Sequence, residues 1–323
     1  MTSSTKPAVE VRDLVKVYPR PGGGQLTALD GISFEVAAGE FFGFLGPNGA
    51  GKTTALEIIE GIRKATSGEV RVLGIDPRRE LDEVKRLIGV QLQAASYFSL
   101  LTITEILELF GSFYTRRRSP AELLETVGLG DKAKSYVRQL SGGQQRRFSV
   151  AAALVNDPEV IFLDEPTTGL DPQMRHSLWE LLRKLNREKG KTIVLTTHYM
   201  EEAELLADRV AIIDHGRIRA LDTPRALIAR LDGRGHIEFA TNHPVETAEL
   251  TRLAGVKGVG VRSNEAGAIE PATYRLEVDE ARAAVSSLLN WSEGEGIELR
   301  GLEVVPGTLE DVFLQLTGRE LRE

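Results

Sequence analysis

Apolar and polar positions nearly alternate over residues 9–19, with Val9, Val11, Leu14, Val15 and Val17 on the apolar side, which predicts a half-buried strand. Residues 26–36 predict a second strand, and Arg20-Pro21-Gly22-Gly23-Gly24 between them has turn composition. Residues 41–45 are a short apolar run that predicts a buried strand. A glycine-rich loop follows, and residues 53–62 then carry helical spacing, with Leu56, Ile58 and Ile59 as the apolar face. Residues 94–140 predict mostly helix, with apolar spacing at 103–113 and 121–127. Residues 160–163, 193–195 and 210–213 predict further buried strands, and residues 174–189 an amphipathic helix. Short strands alternating with helices predict an α/β domain with a largely parallel sheet covered by helices, and a helical subdomain at about 94–140.

The pattern changes across residues 216–230. Strand, helix, strand, strand, helix, strand are then predicted at 237–240, 245–253, 256–261, 273–278, 280–291 and 297–305. That β-α-β-β-α-β order fits a small α+β module of ferredoxin-like type. A last helix at 308–317 carries Leu309, Val312, Phe313 and Leu316 as one stripe, a pattern that packing alone explains. The expected division is residues 1–230 and 231–323, in keeping with 323 residues and about 150 per domain.

Composition narrows the function classes. A net charge of −7 argues against a broad electrostatic grip on nucleic acid, so no nucleic-acid partner is expected. The absence of cysteine removes disulfides, thiolate zinc sites and iron–sulfur clusters. Residues 1–10 are polar, so no signal peptide is expected, and no apolar run approaches the ~20 residues of a membrane span. A membrane role would have to come through a partner.

Gly46-Pro47-Asn48-Gly49-Ala50-Gly51-Lys52-Thr53 matches G-x-x-x-x-G-K-[ST] between a predicted strand and a predicted helix. Glycines let the backbone wrap phosphates with inward N–H groups, and the helix start adds partial positive charge. Lys52 is expected to reach the β- and γ-phosphates and the Thr53 hydroxyl to ligate Mg²⁺. Asp164 and Glu165 end an apolar strand, where the C-terminal end of a parallel sheet would set them beside this loop. Asp164 is then the candidate to orient Mg²⁺ through water, and Glu165 the general base for an attacking water. Thr196-Thr197-His198 closes another strand, so His198 can reach the same crevice, bond the γ-phosphate and hold Glu165 and water in line. His176, His215, His236 and His243 read as ordinary hydrogen-bonded polar residues.

Leu140-Ser141-Gly142-Gly143-Gln144, followed by Gln145-Arg146-Arg147, resembles the signature motif of ABC ATPases. Ser141 and the following N–H groups would offer an anion the start of a helix. Residues 9 to about 230 resemble the family's P-loop nucleotide-binding domain in order. The resemblance implies binding of ATP with Mg²⁺ by Gly46, Pro47, Asn48, Gly49, Ala50, Gly51, Lys52, Thr53 and Thr54, with Lys52, Glu165 and His198 as the catalytic set. Tyr18 is similar to the aromatic that stacks on adenine; alternatively it is core. Gln93 is similar to the glutamine that touches Mg²⁺ and reports to the membrane partner. The family often has proline before that glutamine and this sequence does not, which leaves Gln91 as an alternative. Gly169-Leu170-Asp171 resembles the loop that contacts the opposite subunit.

The resemblance further implies a head-to-tail dimer in which Ser141, Gly142, Gly143 and Gln144 of one copy face the ATP held by the other. A separate integral membrane permease is implied with it, so that the chain works peripherally on the cytoplasmic face of a membrane. Thr308 to Glu320 is similar to the tail of ATPase subunits of ABC-2-type exporters, near the daunorubicin-resistance group. That implies efflux of a drug-like or lipid-like substrate, with a regulatory or pairing role for residues 231–323. After the Gln loop, Tyr97 and Phe98 could line a groove for a permease helix or could be core. The rival classes are an importer subunit, and a soluble mechanoenzyme on nucleic acid or ribosomes. One cassette, no long heptads and no cysteine speak against the second.

Overall fold

The computed structural model describes residues 6–20, 22–92, 97–231, 235–262 and 273–318. Its contacts separate two units, Met1–Pro224 and Arg225–Leu321. The first runs β1 (Val9–Pro19), β2 (Gln25–Val36), β3 (Phe41–Leu45), α1 (Lys52–Ile59), β4 (Ser67–Val72), α2 (Leu81–Leu87), β5 (Ile88–Gln91), α3 (Ile103–Ser112), α4 (Pro120–Thr126), α5 (Gly142–Ala153), β6 (Val160–Asp164), α6 (Pro172–Arg187), β7 (Thr192–Thr197), α7 (Met200–Leu206), β8 (Arg209–Asp214) and β9 (Arg217–Asp222). Helix α8 (Pro224–Ala229) begins at the junction.

The main sheet has the order β5-β6-β7-β3-β8-β9. Its first five strands are parallel, and β9 closes the edge antiparallel to β8. Every residue of β3, β6 and β7 is buried, as expected of strands covered on both faces. Strands β2, β1 and β4 make a separate antiparallel sheet. Its Phe34 stacks on Phe42 at 5.4 Å and meets Phe44 edge-on at 5.0 Å, which joins the two sheets through one aromatic cluster. Register sets Leu45 beside Thr197 and Asp164 beside Thr196, so the C-terminal ends of β3, β6 and β7 open at one place.

Two close packings fix β5. Asn156 donates its amide hydrogens to the carbonyls of Lys85, Arg86 and Ile88. Gly89 lies so near α5 that a Cβ there would sit 1.9 Å from the Ala153 carbonyl oxygen. Gly89→Ala should therefore cost about 3 kcal/mol or more, read as a lowered urea midpoint. Gly260→Ala, whose nearest neighbour would be 3.8 Å away, should be tolerated far better.

The structure departs from the expected elements in several places. The helix after the phosphate loop is shorter than 53–62, because Gly61 (φ 77°) turns the chain. The stretch 94–140 is less helical than its apolar spacing suggests. It holds α3 and α4, then two single 3₁₀ turns at Gly130–Lys132 and Val137–Gln139. Ser119-Pro120 caps and starts α4, while Gly128 (φ 66°) ends it. Strands β4, β5 and β9 and helix α2 carry no strong apolar pattern and were not anticipated.

The second unit runs β10 (Gly235–Thr241), α9 (Thr247–Leu250), β11 (Val256–Arg262), β12 (Thr273–Val278), α10 (Ala281–Glu295), β13 (Leu299–Pro306) and α11 (Leu309–Thr317). Its antiparallel sheet has the order β11-β12-β10-β13, the arrangement of a split β-α-β module. Leu250 of α9 and Ala284 and Leu288 of α10 pack with Ile237, Phe239, Tyr274 and Leu276 on one face. The stripe of α11 holds for Leu309, Val312 and Phe313, whereas Leu316 is 40% exposed.

Candidate active site at the strand ends

The chain between β3 and α1 turns on Gly49 (φ 79°) and Gly51 (φ 110°), conformations open to glycine and costly for other residues. Gly46 is required for a different reason. A Cβ there would lie 2.3 Å from the Ile213 carbonyl oxygen, so the loop can run this close to β8 only without a side chain. Gly51 is the N-cap of α1 and has no side chain to accept from the first-turn N–H groups. Those donors and the helix dipole are thus available to an anion.

Lys52 folds back into this loop and donates to the carbonyls of Gly46 at 2.7 Å and Pro47 at 3.2 Å. Its ammonium also lies 3.2 Å from Glu165 Oε1, with both side chains almost fully buried. Burial pushes the Lys52 pKa down, against the pull of Glu165. Thr53 donates from Oγ1 to Asp164 Oδ1 at 3.1 Å, and Thr196 donates to the same oxygen at 2.5 Å. Burial nevertheless holds the Asp164 carboxyl above the usual range.

Glu165 is opposite in character. His198 Nδ1 stands 3.4 Å from its Oε2, and Thr168 donates to that oxygen at 3.3 Å. The His198 ring foremost, and then Lys52, outweigh burial and hold the Glu165 carboxyl down to about 2. Two adjacent carboxyls are thereby pushed apart, the usual sign that they do different work. The Glu165 backbone is at φ 47°, a region sparsely used by non-glycine residues. Its N–H is fixed by both the carbonyl and the hydroxyl of Thr196. Thr196 therefore ties the two acids together. Nothing in the sequence marks Thr196 for this part beyond its place before His198, because a threonine at a strand end carries no signal of its own.

Tyr18, Pro47, Asn48, Gly49, Gly51, Lys52, Thr53, Thr54 and Glu165 line one cavity of about 410 Å³. Lys16 Nζ and the Arg63 guanidinium lie 4.8 and 5.4 Å from the centre of the Tyr18 ring. Ala50 is buried beneath the loop. The Thr53 and Asp164 oxygens lie side by side, a hard donor set that suits Mg²⁺, an ion that keeps several waters and takes further oxygens from phosphates.

The signature residues lie outside that cavity's lining. Ser141 caps α5, accepting from the Gln144 N–H while Gln144 returns a bond to the Ser141 N–H. Ser141 and Gly142 are exposed, and Gly143 is buried with a Cβ position only 2.4 Å from Met174 Sδ. Asp171 caps α6 by accepting from the Met174 N–H at 2.9 Å, so its carboxylate is committed to the helix start. Gln93 lies outside the described residues. Gln91 ends β5 beside Leu163, next to the acids, and its amide donates to the Leu92 carbonyl.

A second cavity, of about 560 Å³, is lined by Glu60, Ile62, Val90, Gln91, Tyr97, Phe110, Phe113, Ser149 and neighbours. Tyr97 belongs to its wall and packs edge-on against Phe148 at 5.0 Å, while Phe98 is 55% exposed and lines neither cavity. Glu60 is 3% exposed, and burial, then the Asp164 and Glu57 charges, push its carboxyl up to about 8. A raised carboxyl pKa means the unfolded chain ionises first. The cost to stability is absent below about pH 4.5, grows as pH rises, and is complete near pH 8, of order 5 kcal/mol at most. Glu60→Gln cannot ionise. Its melting temperature relative to the parent should rise steadily from pH 5 to pH 8, as thermal scans at several pH values would read.

Comparison with known proteins places this geometry. Residues 29–168 match the family model described as ABC transporter. The Nod factor export ATP-binding protein I of Paraburkholderia xenovorans (strain LB400) is 40% identical over 98% of this chain and 99% of its own length. The linearmycin resistance ATP-binding protein LnrL of Bacillus subtilis (strain 168) is 38% identical over 98% and 100%. The daunorubicin/doxorubicin resistance ATP-binding protein DrrA of Streptomyces peucetius is 37% identical over 98% and 94%. Among solved structures, the dimeric ATP-binding cassette MJ0796 bound to ADP and Pi superimposes with a TM-score of 0.61 at 34% identity, covering 67% of this chain and 98% of that one. With its phosphate loop, paired acids and signature helix in place, the chain belongs to the ATP-hydrolysing subunits of ABC transporters, in the branch that holds these export and resistance proteins.

Proposed function

We propose that two copies of this chain close head-to-tail on two ATP molecules and so drive a separate permease to export a drug-like or lipid-like compound. The observation that carries this reading is the meeting of Lys52, Thr53, Asp164 and Glu165 at the strand ends. Lys52 holds the β- and γ-phosphates against the loop's N–H groups, and Tyr18 offers a face to adenine. Thr53 and Asp164 hold Mg²⁺, with Gln93 as a further oxygen donor. The ion would neutralise phosphate charge and polarise the reacting phosphorus. Glu165 accepts the proton of the attacking water, and His198 orients both. While Lys52 is paired with Glu165 the carboxylate is a poor base. Phosphate oxygens compete for that ammonium, so substrate entry itself raises the basicity of Glu165.

The exposed Ser141 and Gly142 at the start of α5 suit contact with the other copy's γ-phosphate, and Asp171 shapes the adjoining loop by capping α6. No described helix is long and apolar enough to cross a membrane. In the export reading the permease is a separate protein, and the chain sits against its cytoplasmic side. The groove lined by Tyr97 and Phe113 is the proposed permease seat. Vesicles holding the chain with its co-expressed permease should move substrate only when ATP is hydrolysed. Hydrolysis that proceeds normally with no movement of any drug or lipid tried would overturn the export reading.

A further inference from the structure

The second cavity is a groove walled mainly by apolar side chains, among them Ile62, Val90, Leu92, Phe110 and Phe113. Lys85, Gln91, Ser149 and Asn156 interrupt that character, Gln91 Oε1 without a hydrogen-bond partner, and Glu60 is the one carboxyl among the lining residues. Glu60 follows the last turn of α1, buried to 3% exposure, and its Oε2 has no hydrogen-bond partner. The charges acting on it, Asp164 and Glu57, have its own sign. The cation on the groove wall, Lys85, lies 3.9 Å from Asp82 instead. A buried acceptor left unmatched costs free energy. Such a group is retained at a net gain when a donor arrives from outside.

We infer that Glu60 is the polar anchor of this groove, taking a lysine or arginine from an amphipathic cytoplasmic helix of the permease whose apolar side fills the rest. The occupant follows from charge complementarity: an apolar trough with one buried carboxyl fits an apolar helix face bearing one cation. The inference rests on the permease reading above and adds to it the residue that recognises the partner. It also supplies a link to the chemistry. Helix α1 starts at Lys52 and Thr53 and ends against Glu60, and the Glu60 carboxyl feels the Asp164 charge. A cation seated at Glu60 therefore acts on the same helix and the same acid that handle the nucleotide.

The test uses the chain with its co-expressed permease in detergent or nanodiscs, measuring affinity and permease-stimulated hydrolysis. Glu60→Gln keeps the shape and should weaken association about tenfold. One Lys→Met or Arg→Met change among the permease's cytoplasmic helices should give a similar loss, and combining the two should add little. Glu60→Lys paired with the reversed permease charge should recover part of the binding. If parent and Glu60→Gln chains bind equally, or if the losses multiply for every basic residue tried, the anchor role is overturned while the permease reading stands. If the parent chain binds no permease at all, the docking reading fails and the anchor falls with it. The permease-side substitutions leave this chain untouched, so an unstable Glu60 variant cannot mask the answer.

Discussion

Replacing Glu165 with glutamine should lower steady-state ATP turnover by about 10²- to 10⁴-fold while leaving nucleotide affinity nearly unchanged. The amide keeps the length of the side chain and can still meet Lys52 and His198, which stand 3.2 and 3.4 Å from the carboxylate. What it loses is the ability to take a proton from water. The variant should therefore trap ATP between two copies, seen as an ATP-dependent shift from monomer to dimer on size exclusion. Retained turnover would assign proton acceptance to another group. His198→Ala should be milder if, as proposed, that ring orients the base and water without itself accepting the proton.

The second large effect concerns sharing of each site between two copies. Lys52→Ala removes the buried cation of the phosphate loop, and Ser141→Arg fills the exposed start of α5 with bulk and charge. Either change alone should reduce turnover to a few per cent or less, of the order seen when a preorganised phosphate contact is removed. Mixed in equal parts, half of the dimers pair one variant with the other. Each such dimer rebuilds one site with Lys52 from one copy and Ser141 from its mate. Recovery of up to about a quarter of parental turnover is expected from that symmetry. No recovery at any mixing ratio would mean that Ser141 serves the ATP of its own chain.

The phosphate loop, the paired acids and the signature helix were legible in the sequence because each is local. Residue types at fixed spacing determine the loop's path and the cap of α5, whatever surrounds them. What escaped depends on neighbours distant in the chain. Strand β5 is Ile88-Gly89-Val90-Gln91, too short to show a period, and it exists because Asn156 and Ala153 of a later segment hold it. Helix α2 buries only Val84, so it shows no stripe. Glu60 could have been noticed as a carboxylate following Ile58-Ile59 and preceding Ile62, but its lack of a partner is visible only once the groove closes round it. Within residues 94–140 the two apolar-spaced stretches are α3 and α4, and the second stops after Thr126 because Gly128 (φ 66°) turns the chain, after which only short 3₁₀ turns follow.

Helix α5 opens at Ser141 and closes where Ser149, Ala152 and Ala153 line the groove proposed as the permease seat, so the two proposed contacts belong to one rod of twelve residues, about 18 Å long. Adding a single residue to its middle would rotate everything beyond by about 100° and turn the groove wall away from its occupant. The length of this rod is thus as fixed as its chemistry. Sequence drift here should proceed by exchange of side chains, with insertions and deletions shed into the loops on either side.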